Sequence, residues 1–273
     1  MKLSVSNIAW SAAEDLSMPG RLLVAGVEGL EVAPGRIMPD FARATHGEAR
    51  AIAERYDEIG LPITSMQALL FGRGDLQLLR DDADWQDMRD WLEHVIAIAG
   101  SLGCGPLVFG SPKNRLRNAM PIKQAQALAA TRLAEIAAPA AAAQVTFCIE
   151  ANAAGYGCDF ICKIAEATTL VALIDNPQIR VVADTGNMIM QGEPPEAIVP
   201  ALPFVAHVHV SAPGLGPIVP HRAYIFDILA RLRDGGYDGI VTVEMRQQDD
   251  GDAQVALFEG IDMVRALLDR GAP

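Results

Sequence analysis

Four residues of this chain could together hold a divalent cation. Glu150, Asp184, His209 and Glu244 each stand near the C-terminal end of a short apolar run, in VTFCIEAN, IRVVADTGN, FVAHVHVS and GIVTVEMR, at intervals of 34, 25 and 35 residues. Three carboxylates crowded into an apolar setting would repel one another and take up protons unless a cation sat among them. A set of oxygens with one imidazole nitrogen suits Mn²⁺ first, then Mg²⁺ or Co²⁺, with Zn²⁺ a further option. His207 lies two positions before His209 and points to the same side of its strand, one layer deeper. It is therefore read as an outer partner or a core histidine, and His209 as the ligand.

Residues so far apart converge only if their strands lie side by side. Eight runs rich in β-branched or apolar residues read as strands: Lys2 to Ile8, Gly26 to Val32, Pro62 to Ala68, Leu107 to Gly110, Val145 to Ala151, Ile179 to Asp184, Ala206 to Ser211 and Gly239 to Met245. Between them lie stretches of helical spacing at Gly47 to Ile59, Asp84 to Ile98, Pro121 to Ala142, Asp159 to Leu173, Tyr224 to Asp234 and Ala253 to Leu268. This alternation predicts an α/β chain whose parallel sheet is apolar on both faces and closes as an eight-stranded (β/α)8 barrel. One such domain over residues 1–273 accounts for the length. Turn chemistry follows several strands at the end where a barrel builds its site, as in Gly110-Ser111-Pro112 and Asp184-Thr185-Gly186.

Composition narrows the class further. With 51% hydrophobic and 21% charged residues the chain is globular and not disordered. Its 22 basic against 34 acidic side chains, a net charge of −12, repel a phosphate backbone, so nucleic acid is not an expected partner. The uncharged stretch 95–112 is interrupted by Gly100, Gly103, Gly105 and Pro106, which argues against a membrane span. MKLSVSNIAW lacks the apolar core of a signal peptide, and a cytoplasmic enzyme of small polar metabolites is expected. Cys104, Cys148, Cys158 and Cys162 are expected as free thiols, and the outer helix faces and apolar loops suggest a homo-oligomer.

The segments CIEANAAGY, VVADTGNM, HVHVS and VTVEM on eight βα units resemble the xylose-isomerase-like TIM-barrel superfamily of sugar and sugar-phosphate isomerases and epimerases. The resemblance spans essentially the whole chain. It implies that Glu150, Asp184, His209 and Glu244 hold one divalent metal and that Glu150 and Glu244 form an acid/base pair. The implied reaction is proton abstraction next to a carbonyl through an enediolate. A lyase that dehydrates an inosose or a dehydroshikimate-like substrate would begin with the same step, and a non-catalytic binding barrel would have lost one or both glutamates. Abasic-DNA endonucleases of the superfamily use three zinc ions and a larger histidine set, whereas this chain has five histidines and places Asn187 where they carry a histidine.

Departures concern the substrate. Where ketose 3-epimerases of the family carry a second glutamate, a histidine and an arginine, this chain has Tyr156, Asn187 and Leu215. Tyr156 and Asn187 are nonetheless candidate substrate contacts, as are Gln67 after the third strand and Asn152 beside Glu150. Lys113 and Arg115, basic residues after the fourth strand of an acidic protein, are candidates for a substrate carboxylate or phosphate. Trp10 could wall the pocket or belong to the core.

Overall fold

In the computed structural model of the protein, which describes residues 1–247 and 253–269, eight strands pair in parallel and in chain order until the last meets the first. They are β1 (Lys2–Ser6), β2 (Gly29–Val32), β3 (Ile63–Met66), β4 (Pro106–Phe109), β5 (Thr146–Glu150), β6 (Ile179–Asp184), β7 (Val205–Val210) and β8 (Ile240–Val243). The ring of helices comprises α1 (Met18–Val24), α2 (Pro34–Ile37), α3 (His46–Ile59), α4 (Asp82–Ser101), α5 (Ile122–Ala134), α6 (Ala137–Ala142), α7 (Ile164–Ile174), α8 (Thr185–Met190), α9 (Arg222–Asp234) and α10 (Ala253–Asp269). The expected span 1–273 includes 248–252 and 270–273, which lie outside the described residues. No helix among the described residues is long and apolar enough to cross a membrane, and the four cysteines are free thiols.

Alternation along the strands separates two environments. Leu107, Phe109, Phe147, Ile149, Val181 and Val208 join helix residues such as Leu92, Leu133, Leu170 and Ile228 in one continuous apolar core. Among the described residues, Val108, Cys148 and Val182 form a small separate apolar cluster inside the barrel. The remaining interior is polar, with Ser4, Glu31, Ser65, His207 and Thr242 all buried. Strands apolar on both faces were expected, and here the inner face departs from that. Two irregularities in register help to aim the polar residues. Between β2 and β3 the pairing steps from Leu30↔Ile63 to Glu31↔Ser65, and between β6 and β7 from Val181↔Val205 to Val182↔His207. The extra residue at such a step redirects the side chains that follow.

Two helix expectations are corrected. The stretch Pro121 to Ala142 breaks after Ala134, because the Pro139 ring cannot donate to, and clashes with, the carbonyl four residues earlier at Glu135. The helix expected from Asp159 begins only at Ile164. The carbonyls of Phe160 and Ile161 instead accept hydrogen bonds from the buried Arg115 side chain, and Ile161 adopts the left-handed conformation (φ 62°) that turns the chain there.

Candidate metal centre

Four adjacent strand ends deliver the predicted ligands to one place. Asp184 and His209 are register partners on β6 and β7, Glu150 ends β5, and the Glu244 amide donates to the Val210 carbonyl (3.0 Å) just past β8. The His209 ring nitrogen Nδ1 lies 3.0 Å from Glu150 Oε1, 3.2 Å from Glu244 Oε2 and 3.7 Å from Asp184 Oδ2. One donor atom from each of the four residues lies within 4.8 Å of all the others. Oxygen and nitrogen ligands sit roughly 2.0–2.4 Å from a divalent ion, so opposite ligands are at most about 4.8 Å apart. The donor set therefore fits one cation.

Outer contacts hold these ligands in place. Asn152 donates from Nδ2 to Glu150 Oε2 (2.7 Å), and its Oδ1 accepts from Arg115 (2.8 Å). The Ser211 hydroxyl reaches both Asp184 oxygens at 3.0 and 2.9 Å, and the Asn187 amide donates to Asp184 Oδ1 (2.5 Å). Gly110 leaves room for Glu150, since a Cβ there would stand 2.6 Å from Oε2. Second contacts of this kind fix the orientation of metal ligands.

Sequence reasoning missed Glu31 altogether. This carboxylate in the middle of the apolar strand GLEV is 0% exposed and lies on the far side of His209 from the other three. Its Oε2 accepts from Ser65 Oγ (2.8 Å), His207 Nε2 (2.8 Å) and His209 Nε2 (3.2 Å). The available signal was a charged residue inside a strand too apolar to leave it exposed: such a group is buried only with partners.

The charges follow from this geometry. Burial alone would raise the Glu31 pKa, but His209 and His207 outweigh it and hold the carboxyl well below the usual carboxylate range. For His207 burial dominates and lowers proton affinity, so the ring is neutral. Burial also opposes charge on His209, yet Glu31 and Glu244 overcome it and raise its pKa well above the usual imidazole value. Burial pushes Glu244 up to about 7 against the opposing pull of His209, with Glu150 and Asp184 adding repulsion. Both Glu244 and His209 thus bind a proton more tightly folded than unfolded. Their stabilising contributions are full below the unfolded values, 4.5 and 6.5, and are lost as pH rises through the folded ones. EDTA-treated Glu244→Gln, a permanent mimic of the protonated side chain, should match wild type near pH 4.5 and exceed it at pH 8 by on the order of 3 kcal/mol. Denaturant melts at the two pH values check this, and an unchanged difference would contradict the assignment.

The other predicted residues fall into different surroundings. Arg115 requires a correction: it is fully buried and donates to the carbonyls of Phe109, Gly110, Glu150, Phe160 and Ile161 as well as to Asn152. Its donors hold the frame beneath the site, so it is not a contact for a substrate anion. Lys113 is exposed on the turn after β4. Gln67 is buried at the end of β3 and donates to Ser6 Oγ on β1. The Tyr156 hydroxyl accepts from the Gly214 amide (2.8 Å), tying the loop after β5 to the loop after β7. Asn187 Oδ1 accepts from the Ala153 amide (2.7 Å). Trp10 is buried and donates to Asp15 (2.8 Å).

Comparisons with known proteins agree with this architecture. Among solved structures, D-psicose 3-epimerase from Clostridium cellulolyticum superposes with a TM-score of 0.74 at 18% identity, covering 98% of this chain and 97% of that one. For 3-keto-D-glucoside 4-epimerase from E. coli the values are 0.71 and 16%, covering 98% and 99%, and for an L-ribulose 3-epimerase 0.72 and 20%, covering 98% and 93%. Identities this low establish the shared fold alone. No curated protein matches the sequence significantly. The model of the family described as "Xylose isomerase-like TIM barrel" matches residues 21–267, and the chain belongs to that family.

Proposed function

We propose that this barrel is a divalent-metal-dependent isomerase or epimerase of a sugar or sugar phosphate, with Glu150 and Glu244 as its acid/base pair. The observation that carries this reading is the meeting of His209 Nδ1 with three carboxylates at the strand-end mouth, where barrels of this class build their sites. Family membership supports it, as do the names of the similar solved structures, which are sugar epimerases. Glu150, Asp184, His209 and Glu244 would hold the ion, Mn²⁺ before Mg²⁺, Co²⁺ or Zn²⁺ by the hardness of the set. A bound divalent ion supplies polarisation of the substrate's carbonyl and neighbouring hydroxyl.

The two glutamates differ in a way that suits opposite tasks. Glu150 is oriented by Asn152, which donates to its Oε2. Burial pushes Glu244 up to about 7 without a cation; as an ionised ligand of a bound ion it would stand ready to accept a proton, the task of a general base. One carboxylate would take the proton from the carbon beside the carbonyl. Return by the other to the same carbon gives the epimer; return to the adjacent carbon exchanges aldose and ketose. With Tyr156 and Asn187 fastening loops over the mouth through Gly214 and Ala153, polar recognition of the substrate differs from that of a protein carrying glutamate and histidine there.

A panel of ketoses, sugar phosphates and inososes followed by NMR in D₂O, with Mn²⁺ and with EDTA, tests the reading. Metal-dependent deuteration of one carbon next to a carbonyl is the expected result. Full exchange after chelation would overturn it, and an unsaturated product with release of water would assign a dehydratase instead. With saturating Mn²⁺ the ordering of wild type and Glu244→Gln at pH 8 should also reverse, because ligation needs the ionised carboxylate.

A further inference from the structure

We infer that Glu31 is a positioning residue, which from beneath the site engages Nε2–H of His209 and so leaves Nδ1, the nitrogen facing Glu150, Asp184 and Glu244, as the one that would give its lone pair to a bound cation. This rests on the metal reading above and adds a residue, on a strand that supplies none of the four ligands, on which the geometry of that site depends.

The placement leaves little alternative. Ser65 Oγ, His207 Nε2 and His209 Nε2 converge on Glu31 Oε2 at 2.8, 2.8 and 3.2 Å, the geometry of an accepting oxygen. Nε2 of His209 stands 3.1 and 3.2 Å from the two Glu31 oxygens, and Nε2 of His207 stands 2.8 Å from one of them. Both imidazoles must therefore carry hydrogen on Nε2. In neutral His209 that leaves Nδ1 as the lone-pair nitrogen, and Nδ1 faces the three carboxylates. Ser65, turned inward by the irregular β2–β3 pairing, donates to the same Glu31 oxygen (2.8 Å) and fixes the carboxylate in turn. His207 packs edge-on against His209, ring centres 5.0 Å apart, and among the described residues its buried Nδ1 has no hydrogen-bond partner, so the ring is held through Nε2. The three residues Glu31, His207 and His209 are close enough to hold a cation themselves. With a cation also held at the mouth, that would require His209 to give a lone pair from both nitrogens, as an imidazolate, whereas hydrogen bonding to Glu31 requires no such ionisation. A carboxylate behind the second nitrogen of a metal-binding imidazole is a known means of fixing its tautomer and raising its basicity.

Glu31→Gln keeps the volume but removes the charge and replaces one acceptor oxygen with a donor. Affinity for Zn²⁺, measured by competition with a chromogenic chelator, should fall roughly 10- to 100-fold. Independently of any variant, long-range ¹H–¹⁵N correlation of the Zn²⁺-loaded wild type should show His209 protonated at Nε2 with the metal-shifted resonance at Nδ1. An unchanged Zn²⁺ affinity in Glu31→Gln, or the opposite tautomer in the wild type, would overturn the role of Glu31 while leaving the metal site standing. Wild-type protein that takes up no Zn²⁺, Mn²⁺ or Co²⁺ would overturn the metal reading itself. If Glu31→Gln fails to fold, the wild-type spectrum decides alone.

Discussion

Replacing either Glu150 or Glu244 by Gln is expected to lower metal-dependent turnover by between about 10²- and 10⁴-fold, the range for removal of a positioned acid or base. Gln has nearly the same shape, and its amide oxygen can still approach a cation, so the weakened metal site should be refilled by raising Mn²⁺. A proton, however, cannot be held there. The informative measurement is therefore kcat at saturating Mn²⁺ and saturating substrate. Loss that persists under those conditions assigns the residue to proton transfer, whereas recovery with metal would restrict it to ligation. Wild-type turnover in both variants would remove the proposed mechanism. The two positions can also be told apart. In a two-base epimerase each variant should retain solvent exchange from one epimer while net interconversion stops, because each carboxylate serves one face of the reacting carbon.

The second large effect is expected at Arg115, which is fully buried. Arg115→Met should destabilise the protein by about 3–5 kcal/mol, the usual consequence of breaking a buried polar network from one side. Five backbone carbonyls and Asn152 Oδ1 accept from this one guanidinium. Met fills a similar volume but takes a donor from each of these acceptors in a dry interior; the Ile161 carbonyl keeps the Asn152 amide and the Phe160 carbonyl the Cys158 thiol, while the acceptors left unpaired carry a desolvation cost. For a chain of this size the shift corresponds to a fall in Tm of roughly 10 °C. Arg115→Lys should recover little, since a single ammonium cannot span acceptors spread around a planar fork. Release of Asn152 would also free Glu150 Oε2 from its fixed partner, so metal affinity should fall together with Tm. A thermal melt within 1–2 °C of wild type would show that water or neighbouring groups replace the guanidinium, contrary to its assigned role.

What was legible in the sequence depended on short-range regularity. The eight strand runs and the helical spacing between them were readable because each face of each element meets a uniform environment, and the outer strand faces do meet one, in the core that contains Phe109, Ile149, Val181 and Val208. The four polar residues at the ends of β5 to β8 stood out for the same reason: they interrupt apolar runs at the end of the barrel where side chains gather. Arg115 was read as a substrate contact because it is a basic residue after the fourth strand of an acidic protein, while the chain folds it inward against the loop containing Phe160 and Ile161.

By themselves, the residues determined the alternation of strand and helix, the class of barrel and the four donors facing one mouth. Only the tertiary structure decided which of those donors touch, which oxygens Asn152 and Ser211 occupy, and that Glu31, 178 positions from His209 along the chain, stands behind its ring. Strand period specifies the face on which a side chain lies, but barrel closure and the two register steps at Glu31 and Val182 determine what it meets across the interior. A buried charge needs partners, and local pattern carries no record of partners contributed by distant strands.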